Sequence, residues 1–145
     1  MVVEPIARMG TVLGGKRTVG RLRSSLDLHD RVVAGLPFGA LSAISVALDL
    51  SPAKLALTLG IPPATYDRRR RSKRLDLAES EIVSRLARIL VLGEELFGSV
   101  AGTWKWLGRA NRAFEGARPI ELLQTESGGR EVEAAIGRRL YGGYD

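Results

Sequence analysis

The stretch Gly60-Ile-Pro-Pro-Ala-Thr-Tyr-Asp-Arg-Arg-Arg-Arg-Ser-Lys-Arg-Leu75 decides how the chain reads. Six of the 22 basic residues (Arg68, Arg69, Arg70, Arg71, Lys73 and Arg74) fall within seven consecutive positions. Just before them, Ser51-Pro-Ala-Lys-Leu-Ala-Leu-Thr-Leu59 has a Ser N-cap and Pro at the first helical position. Gly60 follows its last apolar residue, where a glycine takes positive φ at little cost. Ile61-Pro62 makes a turn, and a second, basic helix starts near Pro63. Two short helices across a tight turn, the second one basic, form the pattern of a helix-turn-helix. The same charge run would also suit a solvated face on a small bundle. Its position behind a capped helix and the apolar anchors Leu55, Leu59 and Ile61 favours DNA binding. Thr65, Tyr66 and Arg68 then sit where a recognition helix reaches base edges. Arg70, Arg71, Lys73 and Arg74 suit phosphates, and Arg69 completes the binding set.

Upstream, residues 1–26 are rich in Gly and Arg without sustained periodicity, which predicts a mobile basic arm. A short helix is expected from Asp27 or Leu28 to Ala34, ended by Gly35 and Pro37. Phe38 to Leu48 follows, with Phe38, Leu41, Ile44 or Ser45, and Leu48 on one stripe. Residues 27–75 thus read as a four-helix unit holding the helix-turn-helix.

Downstream the texture changes. Asp76-Leu-Ala-Glu79 opens a long amphipathic helix with acidic residues in its first turn. Ile82, Leu86, Ile89, Leu90 and Phe97 keep helical spacing until Gly98 closes it. Ser99 caps a helix to about Arg109, Pro119–Leu123 is a short helix, and Thr125 caps one to about Leu140. Trp104 and Trp106, two apart, cannot share one face. Trp106 is expected in the core with Leu107, and Trp104 nearer a surface. No alternating run of strand length occurs, so the chain reads as all-α. A stripe as wide as Ile82 to Phe97, continued by Trp104, Trp106 and Leu107, predicts a homodimer. The tail after Tyr141 has no helix former, and Tyr141 with Tyr144 suggests a docking segment.

Composition narrows the function. With 45% apolar and 26% charged residues the chain belongs with soluble globular proteins. No cysteine and a single histidine, His29, leave no thiolate metal site, no Cys nucleophile and little for triad chemistry. No convergent catalytic set or phosphate loop is visible, so an enzyme, a metal and a cofactor are not expected. The longest apolar run is too short for a membrane span, no secretory signal is apparent, and the cytoplasm is the expected location. Residues 1–75 carry 13 Lys/Arg against 5 Asp/Glu, whereas residues 76–145 carry 9 against 11. That asymmetry suggests one surface for a polyanion and another for protein.

The segments in order resemble the MbcA/ParS/Xre antitoxins. Glu79-Ser80-Glu81 with Arg85-Leu86 is similar to the start of that family's long helix, and Phe97-Gly98 to its stop. Trp106-Leu107 with Asn111, Ala113 and Gly116, then Pro119, Leu122-Leu123 and Thr125, resemble its next two segments. Gly128, Val132, Gly137-Arg138, Tyr141-Gly142 and Tyr144 resemble its C-terminal helix and tail. Thr65, Arg68-Arg69 and Arg74-Leu75 resemble its recognition helix, so the likeness covers about residues 36–145. Phe114-Glu115 departs from the family's Leu-Gly, Arg139-Leu140 from an apolar-acidic pair, and Gly143 from a small apolar residue. The resemblance implies an Xre-like DNA-binding domain followed, over 76–145, by a toxin-binding and dimerisation domain. It further implies a type II antitoxin that blocks a cognate RES-domain, NAD-degrading toxin and represses its own operon through double-stranded operator DNA. Arg138, Arg139, Leu140, Tyr141, Tyr144 and Asp145 are then the toxin-binding residues, with the acidic tip entering the toxin's active site. A stand-alone transcriptional regulator whose second half only dimerises is the rival.

Overall fold

Four helix starts form where the sequence places a capping side chain. Ser51 accepts a hydrogen bond from Lys54 N, Ser99 from Gly102 N and Thr125 from Gly128 N. Asp76 and Glu79 exchange the two bonds of a full capping box. In the computed structural model, which describes residues 5–142, the helices are α1 (Pro5–Val12), α2 (Lys16–Val19), α3 (Ser25–Ala34), α4 (Phe38–Ala47), α5 (Pro52–Thr58), α6 (Pro63–Ser72), α7 (Leu77–Phe97), α8 (Val100–Leu107) and α9 (Glu126–Tyr141). Two 3-10 turns, Arg112–Phe114 and Pro119–Gln124, lie between α8 and α9. There is no strand among the described residues, as expected of an all-α chain. No single helix is long and apolar enough to cross a membrane.

The 21 residues of α7 form the axis of the molecule. Val83, Leu86, Ala87, Ile89 and Leu90 are fully buried, enclosed by α1 and α3 on one side and α8 and α9 on the other. Each large side chain so buried contributes about 1.5–3 kcal/mol. This corrects the expectation of a free dimer stripe: Leu86, Ile89 and Leu107 are consumed inside one chain. Ile82, Phe97, Trp104 and Trp106 are half-buried at its margins. The expectation that Trp106 enters the core is also corrected. Thr103 and Leu107, one turn apart, face α7, and a methyl at Gly93 would land on the Thr103 side chain. The helices approach too closely there to admit an indole.

The expected mobile arm is instead an ordered part of the core over residues 5–22. Met9, Val12, Leu13, Val19 and Leu22 are buried, and α1 lies across both α7 and α4. Glycines that hid the pattern in sequence do structural work: Gly14, Gly15 and Gly20 all take positive φ, which turns the chain between α1, α2 and α3. Arg8 Nε and Nη2 donate to Glu94 at 2.8 and 2.7 Å, fastening α1 to the far end of α7. That hydrogen-bonded guanidinium holds the Glu94 carboxyl below the usual carboxylate range. A depressed folded-state pKa stabilises above the unfolded value and is lost as pH falls through the folded one. Wild type is therefore expected to exceed Glu94→Gln by up to about 1 kcal/mol at pH 7, the pair being about one-third exposed. The difference should shrink as pH is lowered through the folded-state titration of Glu94, measured by urea melts at neutral and acid pH. A gap that persists in acid would mean the ion pair is not its source.

Candidate functional site

α5 and α6 are held as a helix-turn-helix by a few buried side chains. Leu55, Leu59 and Ile61 are buried, and Gly60 turns the chain at φ +86°. Tyr66, half-buried, packs on Phe38 of α4 with ring centroids 5.5 Å apart. Where α6 ends, an isolated antiparallel bridge between Pro37 and Arg74 closes the unit. Phe38 N donates to Lys73 O at 3.0 Å and Leu75 N to Leu36 O at 2.9 Å. Lys73 reaches that bridge by taking a left-handed conformation at the α6 C-cap.

The eight residues expected at DNA divide into two groups. Thr65, Arg68 and Arg71 are spaced i, i+3, i+6 along one outward face, and Arg68 Nη2 donates to Thr65 Oγ1 at 3.3 Å. Arg68, Arg70, Arg71 and Lys73 are exposed, Arg70 meeting Asp67 only at 3.7 Å. Such an exposed pair holds little energy and leaves Arg70 available to a phosphate. Tyr66, Arg69 and Arg74 are engaged in holding the fold instead, Arg74 while still exposed. Arg69 Nε donates to Glu79 at 2.7 Å and its Nη2 to Asp76 at 3.1 Å, which ties α6 to the capping box of α7. Arg74 Nη1 donates to the carbonyls of Gly35 at 2.6 Å and Ala34 at 3.4 Å. These partners lie far from the arginine run or beyond its end, so the run alone could not distinguish the two groups.

Arg69→Ala is accordingly a folding variant. It leaves Glu79, 8% exposed, with only the Asp76 amide and no cationic partner, and should cost about 1–3 kcal/mol in chemical denaturation. Arg68→Ala, whose side chain reaches only Thr65, should change stability by less than about 0.5 kcal/mol. Equal losses for the two would reject this division.

The second surface is built around the end of α7 and the end of α9. Phe97 and Phe114 flank Trp106 at centroid distances of 5.4 and 6.4 Å, and the Arg139 guanidinium lies 5.6 Å over the same indole. Arg138, Arg139 and Tyr141 are exposed and Leu140 is half-buried. Tyr141 is 72% exposed, with its hydroxyl 3.4 Å from Glu95. Tyr144 and Asp145, expected at the toxin, lie outside the described residues. No group of three or more potential metal ligands occurs among the described residues.

Two polar residues position these surfaces in roles that the sequence reading did not assign to them. Gln124 Nε2 donates to Leu59 O at 3.0 Å, joining the turn before α9 to the turn of the helix-turn-helix. Arg85, buried in α7, donates from Nη1 to Leu123 O at 2.7 Å and approaches Glu126 to 3.5 Å through Nε. A methyl at Gly129 would meet the Arg85 side chain, so glycine is what lets α9 pass. Only the general preference of buried arginine for carbonyl partners hints at such a role in sequence.

Comparison with known proteins agrees with both halves of this geometry. Residues 27–88 match the antitoxin Xre-like helix-turn-helix domain, and residues 92–142 match the antitoxin Xre/MbcA/ParS C-terminal toxin-binding domain. A protein of Pseudomonas putida named Antitoxin Xre is 28% identical over 119 residues, covering 81% of this chain and 74% of its own length. A second Antitoxin Xre, from Yersinia enterocolitica, is 29% identical over 117 residues, 79% of each chain. With a helix-turn-helix and a toxin-binding domain matched in order across most of its length, the chain belongs to the Xre/MbcA/ParS antitoxin family.

Proposed function

We propose that the chain neutralises a RES-domain toxin, one that degrades NAD, by occluding its active site, and that it represses its own operon. The observation that supports this most is the placement of the two surfaces. Exposed Arg68, Arg70, Arg71 and Lys73 lie near the first turn of α7, and Trp106, Arg139 and Tyr141 near its last. A protein arranged in this way can hold operator DNA and a toxin at once. One short recognition helix offers little contact area, so homodimerisation on a two-half-site operator goes with this proposal. The dimer surface then lies outside the buried face of α7. Operator DNA and an NAD-degrading toxin as partners go with a cytoplasmic location as part of this proposal.

The experiment is co-expression with the product of the neighbouring gene, which this proposal requires to be a RES-domain protein. The two should co-purify, and cells should keep their NAD and grow, whereas the neighbour alone should deplete NAD. A neighbour that is not captured and whose toxicity is unaffected would remove the antitoxin reading and leave a DNA-binding regulator.

A further inference from the structure

We infer that the cluster around Trp106 is a cationic docking surface for an acidic patch beside the toxin's pocket, and that it selects the partner. The inference rests on the toxin-binding function proposed above and adds the chemistry of the contact. Three observations carry it. First, the indole of Trp106 is shared by Phe97, Phe114 and Arg139, which come from α7, the first 3-10 turn and α9. A ring clamped from three elements is a rigid, half-exposed anchor of the kind that dominates interfaces. Second, the Arg139 guanidinium over the indole is itself exposed, so the anchor carries a cation within reach of a partner.

Third, the charges sort by place. Arg88, Arg118 and Arg130 form ion pairs with Glu133, Glu121 and Glu126. Around Trp106, by contrast, exposed Arg109, Arg112, Arg138 and Arg139 form no ion pair with any described residue. Glu115 is the single carboxylate of that loop. Operator DNA is the competing polyanion, and geometry argues against it. The 21 residues of α7 put roughly 30 Å between the Arg69 latch and the Phe97–Trp106 stack. The two basic surfaces therefore sit at opposite ends of one rod. A duplex seated on α6 reaches the second only where it also runs parallel to α7.

The test uses the full chain with the purified RES-domain toxin that co-purifies with it in the experiment above. The variants are the triple Arg109→Glu/Arg112→Glu/Arg139→Glu and the single Arg139→Lys. Toxin affinity of the triple variant should fall at least about a hundredfold at low salt, because like charges then face each other. The loss should shrink in high salt. Arg139→Lys, which keeps the charge, should lose far less. Operator affinity and melting temperature should match wild type in both. Wild-type toxin affinity in the triple variant would overturn the inference while leaving the antitoxin reading intact. Loss of operator binding with toxin binding retained would also overturn it, by making the patch a DNA surface. Failure of the wild-type chain to bind this toxin would instead remove the function on which the inference rests, and the inference with it.

Discussion

Replacing Arg70, Arg71 and Lys73 together by alanine is expected to lower operator affinity by two orders of magnitude or more. The same change should flatten its salt dependence by nearly three units, roughly 0.9 for each lost phosphate contact. All three side chains are exposed, and none holds the fold through more than a weak surface contact. Their removal therefore tests binding with little change in stability. Arg68→Ala is predicted to behave differently. Its side chain lies over Thr65 in the first half of α6, the part of a recognition helix that reads base edges. It should shift sequence preference and change the salt slope little. Titration of a fluorescent operator from 50 to 300 mM salt separates the two cases. An unchanged slope in the triple variant would make this run the solvated face that the sequence also allowed.

Deleting residues 141–145 should have the largest effect in cells, turning a protected culture into one that loses NAD and stops growing. The packing of α9 lies upstream of the cut. Gly128, Gly129, Val132, Ala135 and Ile136 are its buried residues, while Tyr141 is 72% exposed and Gly142 already leaves the helix in a left-handed turn. Fold and operator binding should therefore survive the truncation. Purified toxin mixed with the shortened chain should degrade NAD within a few-fold of the free enzyme. Continued protection would move neutralisation onto the helices, where the Trp106 surface is the leading contact.

What was legible in the sequence was local. Ser51, Asp76, Ser99 and Thr125 cap helices because the first-turn amides need an acceptor within three residues. Helix order and the all-α class follow from such signals and from apolar spacing. What was not legible depended on partners distant in the chain. Residues 5–22 look like an arm because four glycines break the period, and only α4 and α7 reveal what Met9, Val12 and Leu13 are for. Arg69 and Arg74 look like their neighbours until Glu79 and the Gly35 carbonyl appear beside them. Trp106 looks like core until Gly93 and Thr103 are seen to close that space.

The continuity of α7 bears on how such proteins recombine. The helix-turn-helix match ends at residue 88 and the toxin-binding match begins at residue 92, both inside one unbroken helix from Leu77 to Phe97. Exchange of modules between relatives must then preserve helical phase. A junction shifted by one residue turns everything beyond it by about 100° and advances it about 1.5 Å. Leu86, Ile89 and Leu90 would face the wrong neighbours, and Arg8 would lose Glu94. A shift of seven residues, two near-complete turns, keeps the phase and lengthens the rod by about 10 Å. Viable hybrids of this family should therefore differ in α7 length by multiples near seven, whatever toxin or operator each half brings.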